Sequence, residues 1–329
     1  MNLSACLKQI GRGERGARDL GTDEAATLFG AMLDGGVPDL ELGAILLALR
    51  LKTESLSELL GFHAALGARL AQLRAPVPGI RTVVIPSYNG ARRQPNLMPL
   101  LVLLLRRIGV PVLVHGVLES DGRVAAAYVF REFGLFPCAS LRHAQEALQR
   151  DGMAFVPIGA LAPGLSNLLA LRSRLGLRSC AHTMAKLIDP FSADGGGLRM
   201  ISVTHPAYAD KLREFLSQSD GAALLMRGTE GEAYANPRRR PQIEAFVDGA
   251  AEVLFPAEQG TGRSAPAAAE PADARATAAW IRAALDGDQP IPAAIISQLA
   301  GCLYACGYCS SLSEAKAVAT VRSRQPLAA

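Results

Sequence analysis

Over the first 74 positions apolar residues recur at helical spacing. Residues 19–33, 39–51 and 55–73 are rich in Ala and Leu with polar residues between, which predicts three helices. Asp34-Gly35-Gly36 separates the first two. Asp39, just after Pro38, is a candidate N-cap, and Ser55 with Glu58 three residues on has the form of a capping box. Pro76 to Gly79 closes this block. From Thr82 the period changes. Short β-rich runs at 82–86, 111–115, 153–158, 198–203 and 222–226 alternate with helical runs at 96–108, 123–133, 141–150 and 206–218, and a strand pair follows at 242–246 and 252–255. That alternation predicts a parallel sheet with crossover helices. A further helical stretch falls at 166–175, and helices are expected at 274–285, 292–305 and 311–321.

The fold class is therefore α/β: an N-terminal helical domain over 1–75, and a larger parallel-sheet domain over 76–329 that includes the C-terminal helices. The Ala/Pro-rich segment 257–274 reads as a mobile loop. No internal repeat is visible.

Composition narrows the picture. Half of the 329 residues are hydrophobic, which excludes a disordered chain. The formal charge of +4 is modest, but Lys occurs only at 8, 52, 186, 211 and 316, so Arg dominates the basic set. A GC-rich genome accounts for such a bias, and so does a need for bidentate phosphate contact. Residues 1–10 are mixed and polar, without the apolar core of a secretory signal, and the apolar run 97–105 is too short to span a bilayer. Six scattered cysteines then suggest reduced thiols and a cytoplasmic protein without membrane contact. Cys302, Cys306 and Cys309 have a spacing that invites a metal reading, but they share one helical face with Ile295, Leu299 and Leu303, so a buried face is expected. No metal and no cofactor are expected.

The most informative stretch is VVIPSYNGARR, Val83 to Arg93. A strand, a turn and a helix have the layout of a phosphate-binding loop, in which glycines let backbone N–H groups close on the anion. Here Pro86 has no N–H, Tyr88 is bulky and Gly90 is the single glycine, with two arginines after it. The turn is expected to keep its position and positive charge while losing its cradle. That favours a larger polyanion over small-molecule phosphate chemistry.

Three segments carry a family resemblance. MLDGGVPDLELGAILLALRLKTES (Met32 to Ser55), LRSRLGLRSCAHTMAKLIDPF (Leu171 to Phe191) and the RGTEGE that ends at Glu232 resemble, in order, markers of the anthranilate phosphoribosyltransferase family, glycosyltransferase family 3. The resemblance implies a phosphoribosyltransferase and nucleoside-phosphorylase-like fold, and a homodimer formed through the helical parts. The family's catalytic motifs are altered here. Its glycine-rich pyrophosphate loop is replaced by Pro86-Ser87-Tyr88-Asn89-Gly90. Its Lys-His-Gly-Asn-Arg becomes Val114-His115-Gly116-Val117-Leu118. Its magnesium-holding Asp-Glu pair falls at Ala233-Tyr234, with Glu230 and Glu232 close by. Only Arg172 matches, an arginine that contacts anthranilate in the enzymes. PSYNGAR, HTMAKL and GTEGEAYANP resemble a branch of the family that binds nucleic acid and transfers no phosphoribose.

The expected function is thus non-catalytic, largely sequence-independent binding of single- and double-stranded DNA, with RNA as a further ligand, in an arginine-rich groove of a homodimer. The candidate contacts are Arg92 and Arg93 at a helix start, Arg172, Arg174, Arg178 and Lys186, and Arg238, Arg239 and Arg240 on a Pro-bounded loop. A solvated charge run is the alternative for each. Arg174 and Arg178 are expected on one helical face, and Arg106 and Arg107 read as charges answering a helix dipole. Tyr88 and Tyr234 either stack bases or pack as lids, and His115 reads as a hydrogen-bonding remnant. The altered loop comprises Ser87, Tyr88, Asn89, Gly90 and His115. The rival reading is a phosphoribosyltransferase or phosphorylase that uses Arg172, His115 and a phosphate site built from Asn89, Gly90 and Arg92.

Overall fold

Local capping chemistry sets several element ends. The computed structural model describes residues 2–13, 15–120, 122–258 and 273–323. It opens with α1 (Leu3–Ile10), α2 (Thr22–Leu33), α3 (Asp39–Lys52) and α4 (Leu56–Gly67). The capping box at Ser55 and Glu58 forms as expected. Glu58 does more than cap: its buried carboxylate also accepts the Leu20 N–H at 3.0 Å and the Lys52 ammonium at 2.8 Å. Asp39 differs from expectation. It is the first residue of α3, with Pro38 in the N-cap position and no side-chain cap. Proline suits a helix start because it fixes φ, and the Asp39 carboxylate meets Arg174 at 3.3 Å instead.

The chain continues through β1 (Val83–Ser87), α5 (Met98–Ile108), β2 (Val112–Gly116), α6 (Ala126–Glu132), α7 (Leu141–Asp151) and β3 (Met153–Pro157). Four short helices follow: α8 (Ile158–Leu161), α9 (Pro163–Ala170), α10 (Arg172–Leu175) and α11 (Cys180–Met184). Then come β4 (Leu198–Val203), α12 (Pro206–Ser217), β5 (Ala222–Arg227), β6 (Ile243–Val247), β7 (Ala250–Phe255), α13 (Ala274–Asp286), α14 (Ala293–Ala305) and α15 (Leu312–Arg322). Of the expected loop at 257–274, residues 259–272 lie outside the described residues.

Two compact units result, and one expected boundary is corrected. The helical unit comprises Met1–Gln72 together with Ile158–Pro190, and the sheet unit comprises Leu73–Pro157 and Phe191–Ala329. Residues 158–190 thus leave the continuous 76–329 domain and join the N-terminal helices. The reason is close packing of α9 on α2: a Cβ at Gly164 would stand 2.2 Å from the Leu33 carbonyl oxygen, so only glycine permits the approach. Leu165, Leu168 and Leu169 are buried there.

In the sheet unit the strand order is β3-β2-β1-β4-β5-β6-β7. The pairs from β3 to β5 are parallel, and β6 and β7 are antiparallel. β1 is wholly buried, as an apolar central strand must be. The chain crosses from β3 at one edge to β4 beside β1, which makes the carboxyl ends of β1 and β4 a topological switch point where ligands gather in such sheets. Behind the sheet, α5 buries its Leu-rich face and stops at Gly109 in the left-handed conformation. Its last-turn Arg106 and Arg107 donate to the carbonyls of Asp151 and Leu285, as helix-end residues rather than free cations.

Cys302, Cys306 and Cys309 are buried in this core, and Cys302 Sγ lies 3.7 Å from Met200 Sδ. α14 ends at Ala305, so Cys309 sits past the helix rather than on its face. Burial pushes the Cys306 thiol up to about 11. No helix among the described residues is long and apolar enough to cross a membrane.

Candidate functional site

The switch-point crevice is filled from within. β5 runs into the turn Thr229-Glu230-Gly231-Glu232, closed by hydrogen bonds between Thr229 and Glu232. This turn lies over the loop after β1. Glu232 is fully buried. Its Oε1 accepts the backbone N–H groups of Asn89 at 2.8 Å and Gly90 at 2.9 Å, and its Oε2 accepts the Ser87 hydroxyl at 2.7 Å. Glu230 takes the next set: Oε2 accepts the Arg92 N–H, and Oε1 accepts those of Arg93 and Gln94, at 2.8 to 2.9 Å. Arg123 stands 3.7 Å from Glu230 and 3.3 Å from the Gly90 carbonyl.

The expectation that the loop had lost its cradle is therefore corrected. Five backbone N–H groups converge there, and two carboxylates of the same chain occupy them. A carboxylate and a phosphate oxygen compete for the same donors, because both are anionic oxygen acceptors. Glu230 holds φ of 53°, a conformation that strains a non-glycine residue; its three amide hydrogen bonds offset that strain. Gly231 at φ 91° lies so close to Asn89 that a Cβ would be 2.6 Å from its Nδ2. The turn is locked on its far side too. Tyr234 is buried and donates to the Pro95 carbonyl, and Gln298 bridges Ala233 and Ala235.

Both tyrosines pack as lids rather than offering faces to bases. Tyr88 is buried, with its hydroxyl 2.8 Å from His115 Nδ1, and burial raises its pKa well above the ordinary value. Burial likewise holds His115 down to about 3, so the imidazole is neutral, and its Nε2 has no partner among the described residues. The imidazole is sealed from solvent behind the loop.

Magnesium does not fit this site. Ala233 and Tyr234 supply no carboxylate, and a hard divalent cation requires oxygen ligands. Both oxygens of Glu232 are already engaged by the loop. Among the described residues no group of three His, Cys, Asp or Glu side chains is placed to hold a metal.

The candidate basic residues fall on both units. Arg92 and Arg93 are exposed, but they occupy the turn ahead of α5, which starts only at Met98. Arg238 and Arg239 are exposed in a turn organised by Asn236, which accepts both of their N–H groups. Arg240 is engaged instead: it donates to the Pro256 carbonyl, pairs with Glu258 at 2.7 Å and lies over Phe255. In the helical unit the shared face of Arg174 and Arg178 does not form, because Gly176 at φ 71° ends α10. Arg174 is exposed beside Asp39. Arg172, Arg178 and Lys186 instead converge electrostatically on His182. Burial first, then these three cations, hold its pKa down to about 4. Its Nδ1 accepts the Ser179 N–H, which leaves Nε2 as the protonated nitrogen.

Sequence reasoning missed Glu230 and Glu232 as loop ligands and His182 as the centre of the basic cluster. Glu-Gly-Glu with an apolar residue after it, in a chain whose loop after β1 keeps a single glycine, is the signal that points to the former.

Comparison with known proteins matches residues 4–69 to the glycosyl transferase family, helical bundle domain. The uncharacterized protein YbiB of Escherichia coli K12 is 44% identical over 315 residues, spanning 95% of this chain and 97% of that one. The anthranilate phosphoribosyltransferase of Novosphingobium aromaticivorans is 26% identical, with 86% of each chain covered. Among solved structures, the anthranilate phosphoribosyltransferase of Thermus thermophilus superposes with a TM-score of 0.71 at 21% identity, covering 96% of this chain and 94% of that one. The Saccharomyces cerevisiae anthranilate phosphoribosyltransferase in complex with PRPP and Mg superposes at 0.72 with 12% identity, covering 98% and 92%.

Proposed function

Because this chain belongs to the anthranilate phosphoribosyltransferase family, on the side of YbiB, and fills its own phosphate loop, we propose that it is a non-catalytic nucleic-acid-binding protein. The observation that carries this reading is the pairing of a plugged small-phosphate site with exposed or convergent cations elsewhere. In the helical unit these are Arg172, Arg178 and Lys186 around His182. In the sheet unit they are Arg92, Arg93, Arg238 and Arg239. Phosphate neutralisation by such residues is sequence-independent and suits DNA and RNA, single- or double-stranded. Since Tyr88 and Tyr234 are buried, neither of them stacks on bases.

A homodimer fits the same reading. α3 exposes Leu40, Leu47 and Leu51, at 82%, 44% and 75%. Their spacing of seven and four places them on one helical face, an apolar stripe that water disfavours. We infer that a second copy covers it, and that the protein works in the cytoplasm, where its buried free thiols stay reduced.

A charge-matched comparison tests the binding surface. Arg172→Ala with Arg178→Ala is expected to weaken DNA binding uniformly across sequences and to reduce the salt slope by about two, one unit per lost phosphate contact. Arg142→Ala with Arg150→Ala removes the same charge from residues already beside carboxylates and is expected to change little. Equal losses would show that net charge alone drives binding. Incubation with phosphoribosyl pyrophosphate, magnesium and anthranilate is expected to yield no phosphoribosyl anthranilate; steady turnover would restore the enzyme reading.

A further inference from the structure

A cavity of about 450 Å³ opens in the sheet unit at the carboxyl end of β5, bordered on one side by Gln94, Thr229 and Glu230 of the filled loop and its turn. Its charge inventory is unbalanced. Five ionic side chains line it: Arg227, Arg239, Arg240, Glu230 and Glu258. Arg240 and Glu258 neutralise one another at 2.7 Å. Both Glu230 oxygens are bound by backbone N–H groups, with Arg123 beside them. The guanidiniums of Arg227 and Arg239 have no hydrogen bond or ion pair among the described residues. Two uncompensated cations therefore face one concave space. A concave wall concentrates their field beyond what a flat surface gives.

Directly beside it lies a second hollow of about 190 Å³ that shares Thr204, Arg227 and Gln242 with the first. Its other walls differ in kind. Val203, Pro206, Leu225 and Met226 line it, and its own arginine, Arg213, is paired with Glu244 and Asp210. An arginine chamber thus adjoins a mainly apolar slot, with Arg227 at the junction and side-chain amides around it. Size and polarity match the division of a nucleotide into an anionic phosphate and a flat, largely apolar base with hydrogen-bonding edges.

We propose that these joined cavities bind a nucleoside monophosphate, its phosphate held by Arg227 and Arg239 and its base seated between Val203, Pro206 and Met226. The position at the carboxyl ends of β4 and β5 is where parallel sheets present ligand sites. The ligand chemistry has two sources, a free nucleotide or the 5′-phosphorylated end of a strand. The site shares Arg239 with the proposed polyanion surface, whereas Arg227 belongs to the cavities alone, so Arg227→Gln separates the two readings.

Titration calorimetry of the full chain with adenosine 5′-monophosphate and with adenosine tests it. The monophosphate is expected to bind at least tenfold more tightly than adenosine. Arg227→Gln and Arg239→Gln are each expected to weaken the monophosphate about tenfold, since each removes one charge-assisted contact. Neither change should move the thermal midpoint, because neither guanidinium has an internal partner. Absence of saturable binding at millimolar nucleotide overturns the proposal, as does equal affinity for adenosine, or an affinity untouched by Arg227→Gln. Oligonucleotides of one sequence with and without a 5′-phosphate then assign the source: a several-fold preference that Arg227→Gln removes identifies a strand end, and equal affinities identify the free nucleotide. Nucleotide binding without any oligonucleotide binding would sink the polyanion reading and leave this one standing.

Discussion

Replacing Glu232 by Ala removes the acceptor that holds the loop after β1. Three donors lose their partner: the N–H groups of Asn89 and Gly90 and the Ser87 hydroxyl. All three residues are buried, so water cannot take over at once. Leaving a buried donor unsatisfied costs about 1–3 kcal/mol, and partial relaxation brings the sum for three to about 3–5 kcal/mol. Glu232→Gln is the matched control. Its amide oxygen can keep the two N–H groups while its NH₂ donates to Ser87, so only charge assistance is lost, about 1 kcal/mol. Trp280, the single tryptophan, lies on α13 in the sheet unit, and its fluorescence in urea reports that unit alone. Inorganic phosphate is also expected to stabilise the Ala variant more than the wild-type chain, because it can enter the vacated cradle. An Ala variant within 1 kcal/mol of wild type, or one equal to the Gln variant, would refute the claim that this carboxylate holds the loop.

Three further outcomes follow from the same geometry. Glu58→Ala removes the α4 capping box, leaves the buried Leu20 N–H without its acceptor and takes one of the two carboxylates from Lys52, Asp19 remaining, so a loss of about 3 kcal/mol is expected by urea unfolding; a loss under 1 kcal/mol would deny it a hub role. His115 binds its proton less readily folded, near 3, than unfolded, near 6.5, so stability falls as pH drops below about 6.5; between pH 7 and 5 this histidine contributes a loss of about 2 kcal/mol. His115→Leu should flatten the pH profile by that amount, whatever its effect at pH 7, and an unchanged profile contradicts the burial argument. Gly90→Ala places a Cβ 3.0 Å from the Val124 carbonyl oxygen at φ 65°, and is expected to lower the thermal midpoint by several degrees, read by calorimetry.

Local chemistry was legible in the sequence, and long-range chemistry was not. The Ser55–Glu58 box spans three residues, and the strand at 198–203 could be read from its own apolar run; both form where expected. The return of residues 158–190 to the helical unit depends on Gly164 meeting Leu33, 131 positions away in the chain. No local pattern encodes such a contact. The filled loop is similar. Pro86 and Tyr88 suggest that the cradle is lost, whereas its N–H groups are present and filled, because Glu232 reaches Asn89 across 143 residues. A carboxylate that serves as an internal anion looks, in sequence, like a spare metal ligand. Arg178 shows the opposite error. Helical spacing to Arg174 was read through Gly176, which ends the helix.

The most direct measurement is a titration of duplex and single-stranded DNA at several salt concentrations. Each neutralised phosphate releases counterions, so six contacts predict a log–log slope of about −5 on duplex, little altered by sequence. No binding at low salt, or an affinity indifferent to salt, would contradict the account of this scaffold as a polyanion-binding protein.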